Sequence, residues 1–174
     1  MAVREILLLG NPKLFEICEP VQEAQLGQIK PIIQDLHDTL MAFREKYNSG
    51  RAIAAPQIGA MKRLVYMHTG EPIVFINPAL DLKSTEMMEL WDDCMSFPEL
   101  LVKVHRHQRC RITYRDEGWQ EQSMALEGDL SELLQHEVDH LDGILAVQRA
   151  IDGTAFTLRS QRHLLNEERK TSEP

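Results

Sequence analysis

Apolar positions along this chain change period as it runs. Ile29, Ile32, Ile33, Leu36, Leu40 and Phe43 recur at the spacing of one helix face and predict an amphipathic helix of about five turns. Pro31 is compatible only with its start, and Asn48-Ser49-Gly50 ends it. Strand-length pieces follow at Leu64–His68, Ile73–Ile76, Leu101–Val104, Arg111–Arg115 and Gln120–Leu126. Helical spacing returns in Leu130–Leu141, where Leu130, Leu133, Leu134, Val138 and Leu141 are apolar. Ile6 to Leu9 form an apolar run stopped by the turn signal Gly10-Asn11-Pro12. Beyond Gly143, Ile144 to Val147 is apolar and residues 157–168 read as a helix, with Phe156, Leu158, Leu164 and Leu165 as its contacts. Residues 170–174 should fray. No repeat, low-complexity block or domain boundary stands out. The expected class is α+β, mostly antiparallel strands around one central helix, in a single domain spanning residues 1–174.

Composition narrows the function classes. The chain has 174 residues, enough for one domain with a real core. A net charge of −8 argues against general nucleic-acid binding, which needs a basic face. Lys103, Arg106, Arg109, Arg111 and Arg115 do cluster, but they alternate with Val102, Val104, Cys110, Ile112 and Tyr114 and read as solvent faces of strands. No apolar run reaches membrane-span length, and the opening Met1-Ala2-Val3-Arg4-Glu5-Ile6 does not resemble a signal peptide. A cytoplasmic location with no membrane partner is the expectation. Cys18, Cys94 and Cys110 make no disulfide framework, so a cysteine here is better read as a thiolate ligand.

The chemistry is concentrated in His136-Glu137-Val138-Asp139-His140, an H-E-x-x-H motif on the second predicted helix. Histidines four apart share a helix face, so both imidazoles reach one metal ion. Glu137 lies to one side, placed to move protons to and from a water at the metal. The spacing specifies hydrolysis by a metal-activated water. The apolar surroundings strengthen this, because histidines buried among leucines need partners. Two histidines leave a zinc-type site one protein ligand short. Asp142 is too close to supply it from the same helix face, and Glu167 and Glu168 lie in an ordinary polar stretch. Cys94, in Asp92-Asp93-Cys94-Met95-Ser96, would complete a catalytic set with an open position, and its thiolate also suits Fe²⁺.

Here the chain resembles the peptide deformylases. That family carries G-x-G-L-A-A-x-Q, E-G-C-L-S and Q-H-E-x-D-H-L in order. Gly50-Arg51-Ala52-Ile53-Ala54-Ala55-Pro56-Gln57, Asp92-Asp93-Cys94-Met95-Ser96 and Gln135-His136-Glu137-Val138-Asp139-His140-Leu141 are similar to them, the last completely. The resemblance runs from about residue 6 to residue 149 and leaves 150–174 as a C-terminal helix and tail. It implies one divalent metal per chain, Fe²⁺ first with Zn²⁺ or Ni²⁺ as substitutes, on Cys94, His136 and His140. It implies Glu137 as the proton shuttle, and Gln57 with the Met95 N–H as oxyanion donors. The expected reaction removes the N-formyl group from formylmethionyl peptides, including nascent chains on the ribosome, and releases formate. Arg51, Ala52, Ile53, Asp93, Glu132 and Leu133 would flank the substrate.

Several positions depart from the family pattern. Ala52 stands for a glycine, Ile53 for a leucine and Asp92 for a glutamate. Asp93 replaces a glycine whose backbone runs beside bound peptide; its side chain either enters the cleft or points to solvent. Leu101 stands where an arginine is common. Before His136, Asp129, Ser131 and Glu132 replace apolar pocket residues. One reading makes Asp129 an N-cap with Glu132 closing a capping box; the other makes the pocket polar. Arg51 is either a solvent-facing loop arginine or a clamp for a substrate carboxylate. A small N-formyl compound, such as a free N-formyl amino acid, is therefore the alternative substrate. A non-catalytic metal-binding interaction protein is the alternative of another class.

Overall fold

The computed structural model describes residues 2–166. Helix α1 runs from Leu26 to Tyr47. Ile29, Leu36 and Leu40 are buried on its inner face, against Ile53, Leu64, Tyr66 and Ile76. Pro31 sits in the second turn, a position that forgoes one backbone donor. Asn48 closes the helix in the left-handed region, at φ 51°, with its N–H on the Arg44 carbonyl at 2.8 Å.

Two antiparallel sheets follow. The larger is ordered β1-β2-β3-β6-β7, from β1 (Ala52–Ala54), β2 (Leu64–His68), β3 (Pro72–Asp81), β6 (Arg109–Arg115) and β7 (Glu121–Glu127). The smaller is ordered β4-β5-β8, from β4 (Met87–Asp93), β5 (Leu100–His107) and β8 (Phe156–Leu158). β1 and β4 are therefore edge strands. Helix α2 (Asp129–Leu141) packs between the sheets, and every residue from Leu133 to Leu141 is buried. Strands of both sheets pack against it, which is why its sequence is apolar around the histidines. Among the described residues, no helix is long and apolar enough to cross a membrane.

Three segments differ from the sequence expectation. Phe156–Leu158 is a strand and Arg159–Asn166 a 3-10 helix, where a C-terminal helix was expected. The pairing of Leu100, Leu101 and Val102 with Leu158, Thr157 and Phe156 overrides local propensity. Glu167, Glu168 and residues 170–174 lie outside the described residues. Asp129 is not an N-cap: Gly128, at φ 57°, precedes the helix, and no side-chain cap forms. Arg106 does not face solvent; it is 3% exposed. It shares the strand parity of Val102 and Val104, which points it inward.

The N-terminal apolar run is extended rather than paired in a sheet. The Leu7 N–H bonds the Gln57 carbonyl and the Leu9 N–H bonds the Ser96 carbonyl, both at 2.8 Å. It thus ties together the two loops that carry the site.

Candidate metal centre

The chain leaves β4 at Asp93 and turns so that Cys94 lies over α2. Cys94 Sγ is 3.3 Å from His140 Nε2, and that nitrogen is 3.1 Å from His136 Nε2. The three ligand atoms lie within 4.8 Å of one another, and all three residues are buried. Ring nitrogens and a sulfur aimed at one point repel unless a proton or cation lies between them. Two metal–nitrogen bonds of about 2.0–2.1 Å at a near-tetrahedral angle would span roughly 3.3 Å, so the donor set fits a metal ion. A thiolate with two imidazoles leaves one coordination position for substrate or water.

The supporting shell holds His136 in place. Asp92 Oδ1 is 2.9 Å from His136 Nδ1, an approach that lies off the line of the ring N–H. Asp92 Oδ2 accepts from Arg106 Nη2 at 2.8 Å. Arg106 also donates to Asp139, whose other oxygen accepts from Arg149 Nη2 at 2.7 Å. Burial would raise the Asp92 carboxyl, but His136 and Arg106 outweigh it and hold it well below the usual carboxylate range. Arg106, Asp139 and Arg149 were missed as site residues in the sequence. Strand parity marks Arg106, and the position of Asp139 between the ligands marks Asp139.

Glu137 lies beside the ligands and is 4% exposed. Its Oε2 has no protein partner among the described residues. Burial pushes its carboxyl up to about 7; His136 opposes this, and Asp92 and Glu132 add to it. Such a group holds or releases a proton near neutrality. Gln57 is 1% exposed. Its Oε1 accepts from the Ala54 N–H at 2.9 Å, which turns Nε2 towards Cys94 Sγ at 3.6 Å and Ser96 Oγ at 3.3 Å. Gln57 therefore pins its own loop and presents a donor to the site. Among the described residues the Met95 N–H makes no backbone hydrogen bond.

Cys94, His136 and Glu137 line a cleft of about 750 Å³, with His140 buried behind them. Ala52 lines one side, Asp92 and Asp93 the other, and Leu133 and His136 the floor. Since the His68 N–H bonds the Arg51 carbonyl, strand alternation turns the Ala52 N–H and C=O to the open edge of β1. Ile53 points its side chain into the α1 core and does not line the cleft. Arg51 is neither free nor simply solvated: its Nη2 pairs with Glu132 Oε1, and the pair lies on the cleft wall. Asp93 turns its carboxylate to Arg159, with Oδ2 2.7 Å from Nη2. Leu101 is buried at 1% exposure and offers nothing to the cleft.

A family model described as polypeptide deformylase matches residues 3–155. The chain belongs to the peptide deformylase family. It is 36% identical over 168 residues to peptide deformylase 1 of Prochlorococcus marinus, covering 90% of this chain and 85% of that one. It is 35% identical over 163 residues to the peptide deformylase of Leptospira biflexa, covering 86% and 88%. Among solved structures, the deformylase of Thermotoga maritima aligns with a TM-score of 0.80 at 28% identity, covering 87% of this chain and all of the other. A class I type b deformylase from Acinetobacter baumannii with Met-Ala-Ser bound aligns at 0.78 and 26% identity, covering 85% and 99%. As a deformylase the chain is a metal-dependent hydrolase that removes the N-formyl group from peptides. The reading as a non-catalytic interaction protein is set aside.

Proposed function

We propose that the chain acts as one catalytic domain that holds Fe²⁺ on Cys94, His136 and His140 and deformylates peptides bound as an added strand. The observation that carries this reading is the position of the three converging ligands. They lie under a cleft whose two sides are the unpaired edges of β1 and β4. An extended peptide satisfies such edges with main-chain hydrogen bonds. The bound Met-Ala-Ser of the Acinetobacter baumannii relative supports a substrate of this kind.

When bound, the ion supplies Lewis acidity and makes water nucleophilic near neutral pH. Glu137 takes a proton from the attacking water and passes it to the departing amine. Gln57 Nε2 and the Met95 N–H receive the oxyanion that develops on the formyl carbonyl oxygen. A fixed glutamine amide suits this role, because the Ala54 N–H leaves only its nitrogen end facing the reaction. Zn²⁺ or Ni²⁺ would serve as substitutes, since imidazole and thiolate accept all three.

The Arg51–Glu132 pair favours a polar side-chain pocket beside Leu133. It does not favour Arg51 as a carboxylate clamp, because a free formyl amino acid would have to displace Glu132. Nascent chains on the ribosome are the proposed source of substrate, in the cytoplasm. Anaerobic purification with metal analysis, then formate release from formyl-Met-Ala-Ser beside free formyl amino acids, tests the reading. Iron with faster tripeptide turnover supports it. Faster turnover of a free formyl amino acid overturns the peptide assignment.

A further inference from the structure

Arg159 belongs to the C-terminal segment, beyond the three sequence motifs, yet it lines the catalytic cleft. Its position is set by the fold. β8 pairs with β5 through Leu158 and Leu100, and the Arg159 N–H continues that pairing onto the Glu99 carbonyl at 2.8 Å. The guanidinium is then fixed at two points. Nε donates to the Pro98 carbonyl at 2.9 Å and Nη2 donates to Asp93 Oδ2 at 2.7 Å. Nη1 makes no hydrogen bond among the described residues, and the side chain is 39% exposed. The result is a planar donor held still on two edges with a third edge open. Asp93 offsets its charge, so it suits a neutral carbonyl better than a free anion.

The place of this donor along the cleft limits what it meets. The formyl carbon must lie at Cys94, His136 and Glu137. Asp93 precedes Cys94 on the edge of β4, and Arg159, which sits opposite Glu99 on the far side of β5, reaches across to it. A ligand group at Arg159 therefore lies beside Asp93, and the guanidinium makes no hydrogen bond to Cys94, His136 or His140 among the described residues. We propose that Arg159 is a specificity-determining residue that donates through Nη1 to a backbone carbonyl beyond the first residue of a formyl-peptide, with Asp93 as its positioning residue. This rests on the peptide-strand reading given above. It assigns the Asp93 side chain a use: the carboxylate that replaces a glycine is drawn out of the peptide path and orients a cation from elsewhere in the chain.

The test compares kcat/KM for formyl-Met, formyl-Met-Ala-Ser and the tripeptide C-terminal amide, in the metal-loaded enzyme and its Arg159→Ala variant. Arg159→Ala should lower kcat/KM roughly tenfold for both tripeptides, through KM, as for one lost hydrogen bond, with formyl-Met changed less than about twofold. Asp93→Ala should cause a smaller loss on the same substrates, and the double variant no more than Arg159→Ala alone. Equal losses on formyl-Met and the tripeptides, or no loss on either, would overturn the proposal. A loss confined to the free acid would also overturn it, by showing a carboxylate contact instead. Thermal unfolding of each variant identifies any loss due to misfolding, and Arg159→Lys, which keeps charge without the fork, should not rescue. Wild-type failure on every formyl-peptide would instead count against the peptide reading itself.

Discussion

Asp92 stands between His136 and Arg106, with one oxygen 2.9 Å from the His136 ring and the other 2.8 Å from the guanidinium. The carboxylate thus orients the imidazole from behind while Arg106 keeps the carboxylate charged. Because β4 carries Asp92 two residues before Cys94, a single strand end supplies both a ligand and the support of another.

Asp92→Asn should weaken metal binding about 10- to 100-fold, the usual effect of removing the partner of a ligating histidine. Competition with a chelator measures it. Arg106 retains Asp139 in this variant, so the fold should survive. Unchanged metal retention would show that Asp92 serves only to neutralise Arg106.

Glu137→Ala should keep its metal and lose at least ~10²-fold in kcat, whereas Cys94→Ala should lose most of the metal as well. Metal content per chain, read beside formate release, separates the two. Normal turnover by metal-loaded Glu137→Ala would remove the proton-shuttle assignment.

Gly143→Ala should destabilise the protein. Gly143 has φ +70°, and an added Cβ would lie 2.5 Å from the Phe15 carbonyl oxygen, a backbone atom with little room to yield. A cost of about 2–4 kcal/mol corresponds to a fall in Tm of roughly 4–16 °C in a chain of this size. An unchanged Tm in thermal unfolding would mean that the Phe15 segment is free to move off α2.

Cys18 predicts a pH effect. Burial raises its thiol from 9.0 to about 11, with Arg63 opposing. The unfolded chain therefore loses this proton before the folded one. Between pH 9 and 11 the folded state binds more protons, so stability falls as pH rises through that window. Cys18→Ala lacks this contribution. The stability of wild type relative to that variant should decline from pH 9 to 11 in denaturant titrations and stay flat below pH 8.

How much of this was legible in the sequence depended on which force set each segment. α1 and α2 followed from apolar spacing, because each packs one or more apolar faces. β2 was read at its true bounds for the same reason: Leu64 to Met67 is buried. β4 was not read, since Glu89, Asp92 and Asp93 carry charges that only make sense with Lys103, Arg106 and Arg159 opposite them. β8 was read as helix, because only its pairing with β5 makes it a strand. At the site, Cys94, His136, Glu137 and His140 were visible through motif chemistry. The buried Arg106 was hidden by its charge, although its parity with Val102 and Val104 placed it inside. The Arg51–Glu132 pair joins residues 81 positions apart, and local reading offered a capping box instead.

The open edges of β1 and β4 give the substrate an architectural role. A peptide lying between them would bridge the two sheets at the cleft, in addition to α2 and to the junction where β5 runs into β6 at His107–Arg109. Occupancy should then stiffen the protein as a whole. A tight, slowly hydrolysed strand mimic would raise the unfolding temperature in proportion to the logarithm of its concentration. It would also slow hydrogen exchange at Ala52, whose amide faces the gap. Turnover, by releasing that strand, would remove this added link after each reaction.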